Sequence, residues 1–362
     1  MPLSILPVPG SKEPAMKYDT FLIAFCSSVV IILAPQRGGA ELTMDNAIVG
    51  DTIDPSRSGI FYFTSELRKQ TMGIAYAVPS NLPRTMDKPR RVVYYLHGLP
   101  STEQNEGNFS PRPDEPMLGV LKSEVTGPLG LTSYDDVQEL VDALDVIIVC
   151  CNGGRGWWID SPEKPEMANR SCIVKELIPY IDKHLPTIDD RNGRILIGTS
   201  MGGFGALHIG FSHPDVFGAV ASMIGAIEPT REYIYSEKNY SGWNLRNLMG
   251  EPDNTKRWRS ILPLYLAEKL TEPYPHIFFL YGWDDALAFG KGAENLHQKL
   301  KELEIPHDVR ANTKGHQAGG GGQYVPSIIA WAIGKLNGDV SDKYDGYADG
   351  EYVMPDKGGE GL

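Results

Sequence analysis

Arg194-Ile-Leu-Ile-Gly198-Thr-Ser200-Met-Gly202-Gly203-Phe-Gly205-Ala-Leu207 is the stretch whose reading decides the rest of the chain. An apolar run of strand length ends in Gly-x-Ser-x-Gly, and small residues then open a helix. A serine hydroxyl is a weak nucleophile unless a base takes its proton, so it must stand clear of the sheet where a histidine can reach it. A tight strand-to-helix turn does this, and glycines flank it because a side chain there would collide with neighbouring elements. The turn also sets Ser200 at a helix N-terminus, whose free N–H groups favour a developing negative charge. The five-residue pattern is common by chance in a chain this rich in glycine and serine. Its context gives it weight: a strand before, a helix after, and suitable partners later.

Outward from that stretch, strands alternate with helices. Ile60–Thr64 and Thr71–Val78 bracket a polar turn and predict an antiparallel hairpin at a sheet edge. Arg91–Leu96 predicts a buried strand ending in His97-Gly98-Leu99-Pro100. Residues 100–132 are long for a connection and read as a loop or lid beside the site. Tyr134–Leu144 has helical spacing, Val146–Cys151 is a strand, Arg155–Pro162 a loop, and Ala168–Leu185 an amphipathic helix. After the serine come a strand over Ala219–Ile224, an insertion over 228–270 with short helices, and a strand over His276–Tyr281. A helix over Ala288–Leu303, a strand over His307–Ala311 and a helix over Val325–Leu336 complete the series. Such alternation implies a mostly parallel central sheet with helices on both faces.

The 362 residues are enough to bury a full core in one large α/β domain or two smaller ones. A formal charge of -12 and a pI near 5.2 argue against a nucleic-acid partner. Phe21–Ala34 is short for a transmembrane helix and suits a signal-peptide core, with Lys17 ahead of it and Gly38-Gly39-Ala40 behind; Met16 reads as the translation start. Residues 1–40 are therefore expected to be a signal peptide with preceding residues, residues 41–337 the folded domain, and 338–362 an acidic, disordered tail. The expected product is secreted or periplasmic and not inserted in a membrane once cleaved; a retained anchor is the alternative. Cys150, Cys151 and Cys172 read as buried small apolar residues, one bridge to Cys172 being the alternative. Their spacings do not suit zinc.

A nucleophilic serine needs a base, a carboxylate to hold the base, and donors for the oxyanion. In an open parallel sheet these gather at the carboxyl ends of the strands. Gly282-Trp283-Asp284-Asp285 follows one strand, and Gly315-His316 follows the next. Serine, then acid, then histidine is the order of the α/β-hydrolase topology. Among eight histidines, His316 alone is late, in a loop and beside glycine. His97 ends a strand on the same face and reads as a structural residue shaping its loop.

The segments YYLHGLP, GGRGWWIDSP, ELIPYIDKHLPTI, GTSMGGFGAL, HPDVFGAV and FFLYGWDD, then GH, resemble the esterase D-type esterases, over roughly residues 55–336. That group includes feruloyl and acetylxylan esterases, S-formylglutathione hydrolases and mycolyltransferases. The resemblance implies an α/β-hydrolase fold and cleavage of carboxylic esters through an acyl-enzyme, without metal or organic cofactor. By position it makes Ser200 the nucleophile, His316 the base and Asp285 the acid, with adjacent Asp284 as the alternative. The backbone N–H groups of Met201 and Leu99 are then the oxyanion donors. Trp157 and Trp158 are expected beside the site, where one stacks on an aromatic or sugar group of the substrate, or else packs under the loop. Export and the tryptophan loop favour feruloyl or acetyl esters of plant cell-wall polysaccharide; an acyltransferase would share the same residues, and a general small-acyl carboxylesterase remains open. The chain departs from its relatives at Gln317-Ala318 and Gly319 to Gly322, where relatives often place aromatics after the histidine.

Overall fold

The computed structural model describes residues 49–50, 52–99, 134–162, 164–228, 245, 248, 254–282, 285, 289–312 and 324–338. The expected signal segment, the loop over 100–132, His316, Asp284 and the acidic tail lie outside the described residues.

Among the described residues nine strands form one sheet: β1 (Val49–Gly50), β2 (Gly59–Ser65), β3 (Gln70–Ala77), β4 (Val92–Leu96), β5 (Ile147–Cys151), β6 (Arg194–Thr199), β7 (Ala219–Met223), β8 (His276–Gly282) and β9 (Asp308–Asn312). Their spatial order is β1-β2-β3-β5-β4-β6-β7-β8-β9. From β5 to β9 every pairing is parallel, while β3 runs antiparallel to both neighbours. The β2–β3 hairpin pairs Ile60 with Ala75 and Thr64 with Thr71, as its two runs of branched and aromatic residues predict. It is not the sheet edge, because Val49–Gly50 pairs in parallel outside it.

The parallel strands are apolar throughout because both faces are covered. Tyr94, Leu96 and Leu196 belong to one core layer, and Val93, Tyr95, Ile195 and Ile197 to the other, as the period of two requires. The first layer meets α2 (Asn169–Cys172), α3 (Ile178–His184), α4 (Met201–Ser212) and α7 (Phe289–Glu302), through residues such as Ile181, Phe204 and Leu296. The second meets α1 (Tyr134–Leu144) and α8 (Val325–Leu336), through Val141, Ile328 and Ile329. Two short helices, α5 (Thr255–Arg259) and α6 (Pro263–Leu266), add Trp258 and Leu266 to the first layer. This is the α/β-hydrolase fold.

The amphipathic helix expected over 168–185 is interrupted. Between α2 and α3 the turn Ile173–Leu177 is π-helical. Pro179 follows at the start of α3 and has no N–H to offer the preceding turn, so the chain widens there and continues. Among the described residues Cys150, Cys151 and Cys172 form no disulfide; Cys151 and Cys172 are buried and Cys150 half-buried. Among the described residues no helix is long and apolar enough to cross a membrane.

Helix α4 is buried from Met201 to Phe211, so its approach to the sheet is limited by its smallest residues. A Cβ on Gly202 would lie 2.0 Å from the Leu96 carbonyl oxygen of β4 and 2.7 Å from that of His97. Neither is a flexible side chain that can step aside. Gly202→Ala should therefore cost upward of about 3 kcal/mol of stability, read as a lower midpoint in urea denaturation; a midpoint equal to wild type would contradict this packing.

Candidate active site

Ser200 sits between the C-terminal end of β6 and the first residue of α4, with φ 56° and ψ −117°. A non-glycine residue there is strained, at a cost of roughly 1–3 kcal/mol that the surroundings must offset. Three backbone hydrogen bonds do so. The Ser200 N–H donates to the Met223 carbonyl at 2.9 Å, and the Ser200 carbonyl accepts from Phe204 N–H at 3.0 Å and Ala226 N–H at 3.3 Å. The serine is thus tied at once to its own helix and to the end of β7. Glycine spacing permits the turn: a Cβ on Gly198 would lie 2.1 Å from the Gly202 carbonyl oxygen. Ser200 itself is half-buried.

The loop after β4 lies against it. A Cβ on Gly98 would stand 3.5 Å from the Ser200 Cβ, so Gly98-Leu99 borders the serine. Met201 follows Ser200 as the first residue of α4, and its N–H belongs to the helix's unpaired first turn. The structure therefore brings Ser200, Met201 and Leu99 together. Asp285 lies three residues past Gly282, at the same edge of the sheet and half-buried. Strands are spaced by about 4.8 Å, which puts the end of β8 roughly 10 Å from that of β6, with β7 between. A side chain must span that gap, and the next strand end is that of β9, four residues before His316.

Alternative chemistry is poorly placed. His97 is buried and both its ring nitrogens are engaged by the fold: Gly153 N–H donates to Nε2 at 3.1 Å, and Nδ1 meets the Gly98 carbonyl at 2.7 Å. It shapes its loop, as its position suggests. His208, on α4, is fully buried with Nδ1 on the Ile261 carbonyl at 2.8 Å and its ring stacked on Phe204. Burial pushes the Cys151 thiol well up and the Cys172 thiol to about 11, so neither offers a thiolate nucleophile at neutral pH. No group of His, Cys, Asp and Glu suited to a metal ion occurs among the described residues.

The tryptophans correct one expectation. Trp157 and Trp158 are each only 1% exposed, so their faces do not line a pocket for an aromatic or sugar group. They pack under the loop, with Trp157 edge-on to Phe204 and Trp158 edge-on to His97. Both take positive φ, 51° and 59°. Sequence reasoning missed what Trp158 touches. The signal was available in the small residues that make room for it, Gly153 and Gly205.

Residues 146–297 match the family model described as "Putative esterase". Two Mycobacterium tuberculosis proteins, each named an esterase, are 28% identical over 164 residues, which is 44% of this chain and 30% of theirs. The chain thus spans less than a third of the length of these curated relatives. In three dimensions it resembles an S-formylglutathione hydrolase from Agrobacterium tumefaciens, with a TM-score of 0.57 and 20% identity over 77% of this chain and 95% of the other. A fluorophosphonate-binding serine hydrolase from Staphylococcus aureus gives 0.59 and 14% over 77% and 99%, and a ferulic acid esterase 0.55 and 20% over 78% and 97%. The matched segment carries Ser200, its turn and the tryptophan loop; Leu99 and His316 fall outside it.

Burial holds the His208 ring neutral, lowering its pKa to about 3. The unfolded chain takes up that proton near its ordinary value of about 6.5, whereas the folded chain does not. Its contribution to stability is complete above that value and is lost as pH falls toward 3, by about 1.4 kcal/mol for each pH unit in between. His208→Gln keeps a donor for the Ile261 carbonyl and cannot titrate. Urea unfolding at pH 7 and pH 5 should show a smaller loss in the variant than in wild type; equal losses would place the acid sensitivity elsewhere.

Proposed function

We propose that this protein hydrolyses carboxylic esters by way of a covalent acyl-enzyme on Ser200. The observation that carries the reading is the backbone of Ser200, held at positive φ between a parallel strand and a buried helix, with the Gly98-Leu99 loop against it. Strain at such a position is tolerated where the side chain must project.

In this reading His316 takes the Ser200 proton as the hydroxyl attacks the ester carbonyl. Asp285 holds the imidazole in the correct tautomer, and the N–H groups of Met201 and Leu99 receive the negative charge on the carbonyl oxygen. His316 returns the proton to the departing alcohol, and water then releases the acid by the same steps. No metal or organic cofactor is required.

Within ester hydrolysis we take a feruloyl or acetyl ester of plant cell-wall polysaccharide as the substrate class, acted on outside the cell. Its support is the sequence resemblance, the signal-like segment over Phe21–Ala34 and the likeness in fold to a ferulic acid esterase. The buried tryptophans withdraw the argument from stacking, so a strong preference for feruloyl over acetyl is no longer expected on their account.

Ser200→Ala should lower hydrolysis of aryl acetates by several orders of magnitude with an unchanged circular dichroism spectrum, and wild type should be labelled by a fluorophosphonate at Ser200. Near-normal turnover in the variant would refute the mechanism. A second comparison locates the acid: Asp285→Asn should reduce kcat about a thousandfold or more by freeing the imidazole, while Asp284→Asn should leave it within a few-fold. The opposite ranking moves the acid one residue upstream.

A further inference from the structure

Trp158 is more than filler beneath a loop, because three separate pieces of the site are measured against its ring. A Cβ on Gly205, one turn into α4, would lie 2.5 Å from the Trp158 Cβ, Cγ and Cδ1, so the helix that begins at Met201 rests directly on the indole. A Cβ on Gly153 would lie 2.7 Å from Cζ3 at the ring's far edge. The indole Nε1–H donates to the His97 carbonyl oxygen at 3.2 Å, and the His97 ring meets it edge-on with centroids 4.8 Å apart.

His97 carries that contact to Leu99. Gly153 N–H can only donate, so the Nε2 it meets at 3.1 Å holds a lone pair, and the ring hydrogen is on Nδ1. That hydrogen goes to the Gly98 carbonyl at 2.7 Å. A trans peptide points its C=O and N–H in opposite directions. Fixing the Gly98 carbonyl on the His97 ring therefore turns the Leu99 N–H away from the ring. Both His97 and Trp158 are buried, so water does not compete for these bonds.

We infer that Trp158, acting through His97, is a positioning residue that sets the spacing between the Met201 and Leu99 N–H groups at Ser200. One donor rides on the helix that rests on the indole, the other on a peptide clamped by the histidine that the indole holds. The inference rests on the reading of Ser200 as the nucleophile and of these two N–H groups as the oxyanion donors. Misplacing such a donor costs the transition state more than the ground state, because the charge it serves develops only during attack.

The test uses Trp158→Phe, which keeps a ring and deletes the N–H, and His97→Asn, which keeps a short side-chain donor, with His97→Ala beside it. Each is assayed on an aryl acetate and on the matching thionoacetate, whose sulfur accepts hydrogen bonds poorly. Trp158→Phe and His97→Ala should lower kcat for the oxygen ester by about ten- to a hundredfold, with KM within about twofold. The wild-type preference for the oxygen ester over the thionoester should shrink by a similar factor, and His97→Asn should recover part of both. A packing role alone would lower the yield of folded enzyme and leave that preference unchanged. If wild type hydrolyses the esters and is labelled at Ser200, yet folded Trp158→Phe and His97→Ala keep both kcat and the preference, the positioning role is wrong and the esterase reading stands. If wild type neither hydrolyses nor is labelled, the reading itself fails and the inference with it.

Discussion

The backbone of α4 lies so close to the backbone of β4 that only hydrogen atoms fit between Gly202 and the Leu96 carbonyl, and the rest of the structure depends on that contact. It sets how far the helix can slide toward the sheet, and so where β6 must turn. The turn leaves Ser200 at φ 56°, a conformation that a free chain would abandon. It persists because both ends of the residue are pinned, the N–H by β7 and the carbonyl by α4 and Ala226. A helix buried on every side has no direction in which to relax. Position at the serine is thus a property of the packing around it.

The same logic explains why the loop after β5 is built as it is. Two consecutive tryptophans with positive φ are unfavourable taken alone. They are held by the glycines that receive the Trp158 ring and by Asn169, whose Nδ2 donates to the Gly156 and Ile159 carbonyls at 3.3 and 3.5 Å. The loop ends on the Asp160–Arg170 ion pair, which anchors it to α2. Buried area, local hydrogen bonds and an ion pair together hold a conformation that local preference opposes.

Much of this was legible in the sequence, for a definite reason. Strands covered on both faces are continuous apolar runs, so β4 to β8 stand out from their flanks, and α1 and α8 show their spacing over full lengths. The serine turn was legible because glycine is the only residue that tolerates such close approach at Gly198 and Gly202. Elements too short to have a period leave no pattern: Val49–Gly50 offers two residues, so the periodicity ends the sheet at the hairpin. The π-turn hides inside an unbroken helical pattern, and only Pro179 marks it. The tryptophans misled because the sequence states that a residue is large and apolar, not which way its backbone turns it. Asp284 and Asp285 are neighbours in the sequence beyond the apolar run of β8, and no period distinguishes one from the other.

The order of strands also bears on how the chain is made. β4 lies between β5 and β6, and both come later: Val92 pairs with Ile147 on one side and Arg194 on the other. As the chain emerges, Val-Val-Tyr-Tyr-Leu is therefore an uncharged segment of high β-propensity with two open edges. It gains its first lasting neighbour only after some fifty further residues and its second after a hundred. Such a segment invites pairing with other chains while it waits. During synthesis, the centre of the finished sheet is the part most in need of shelter.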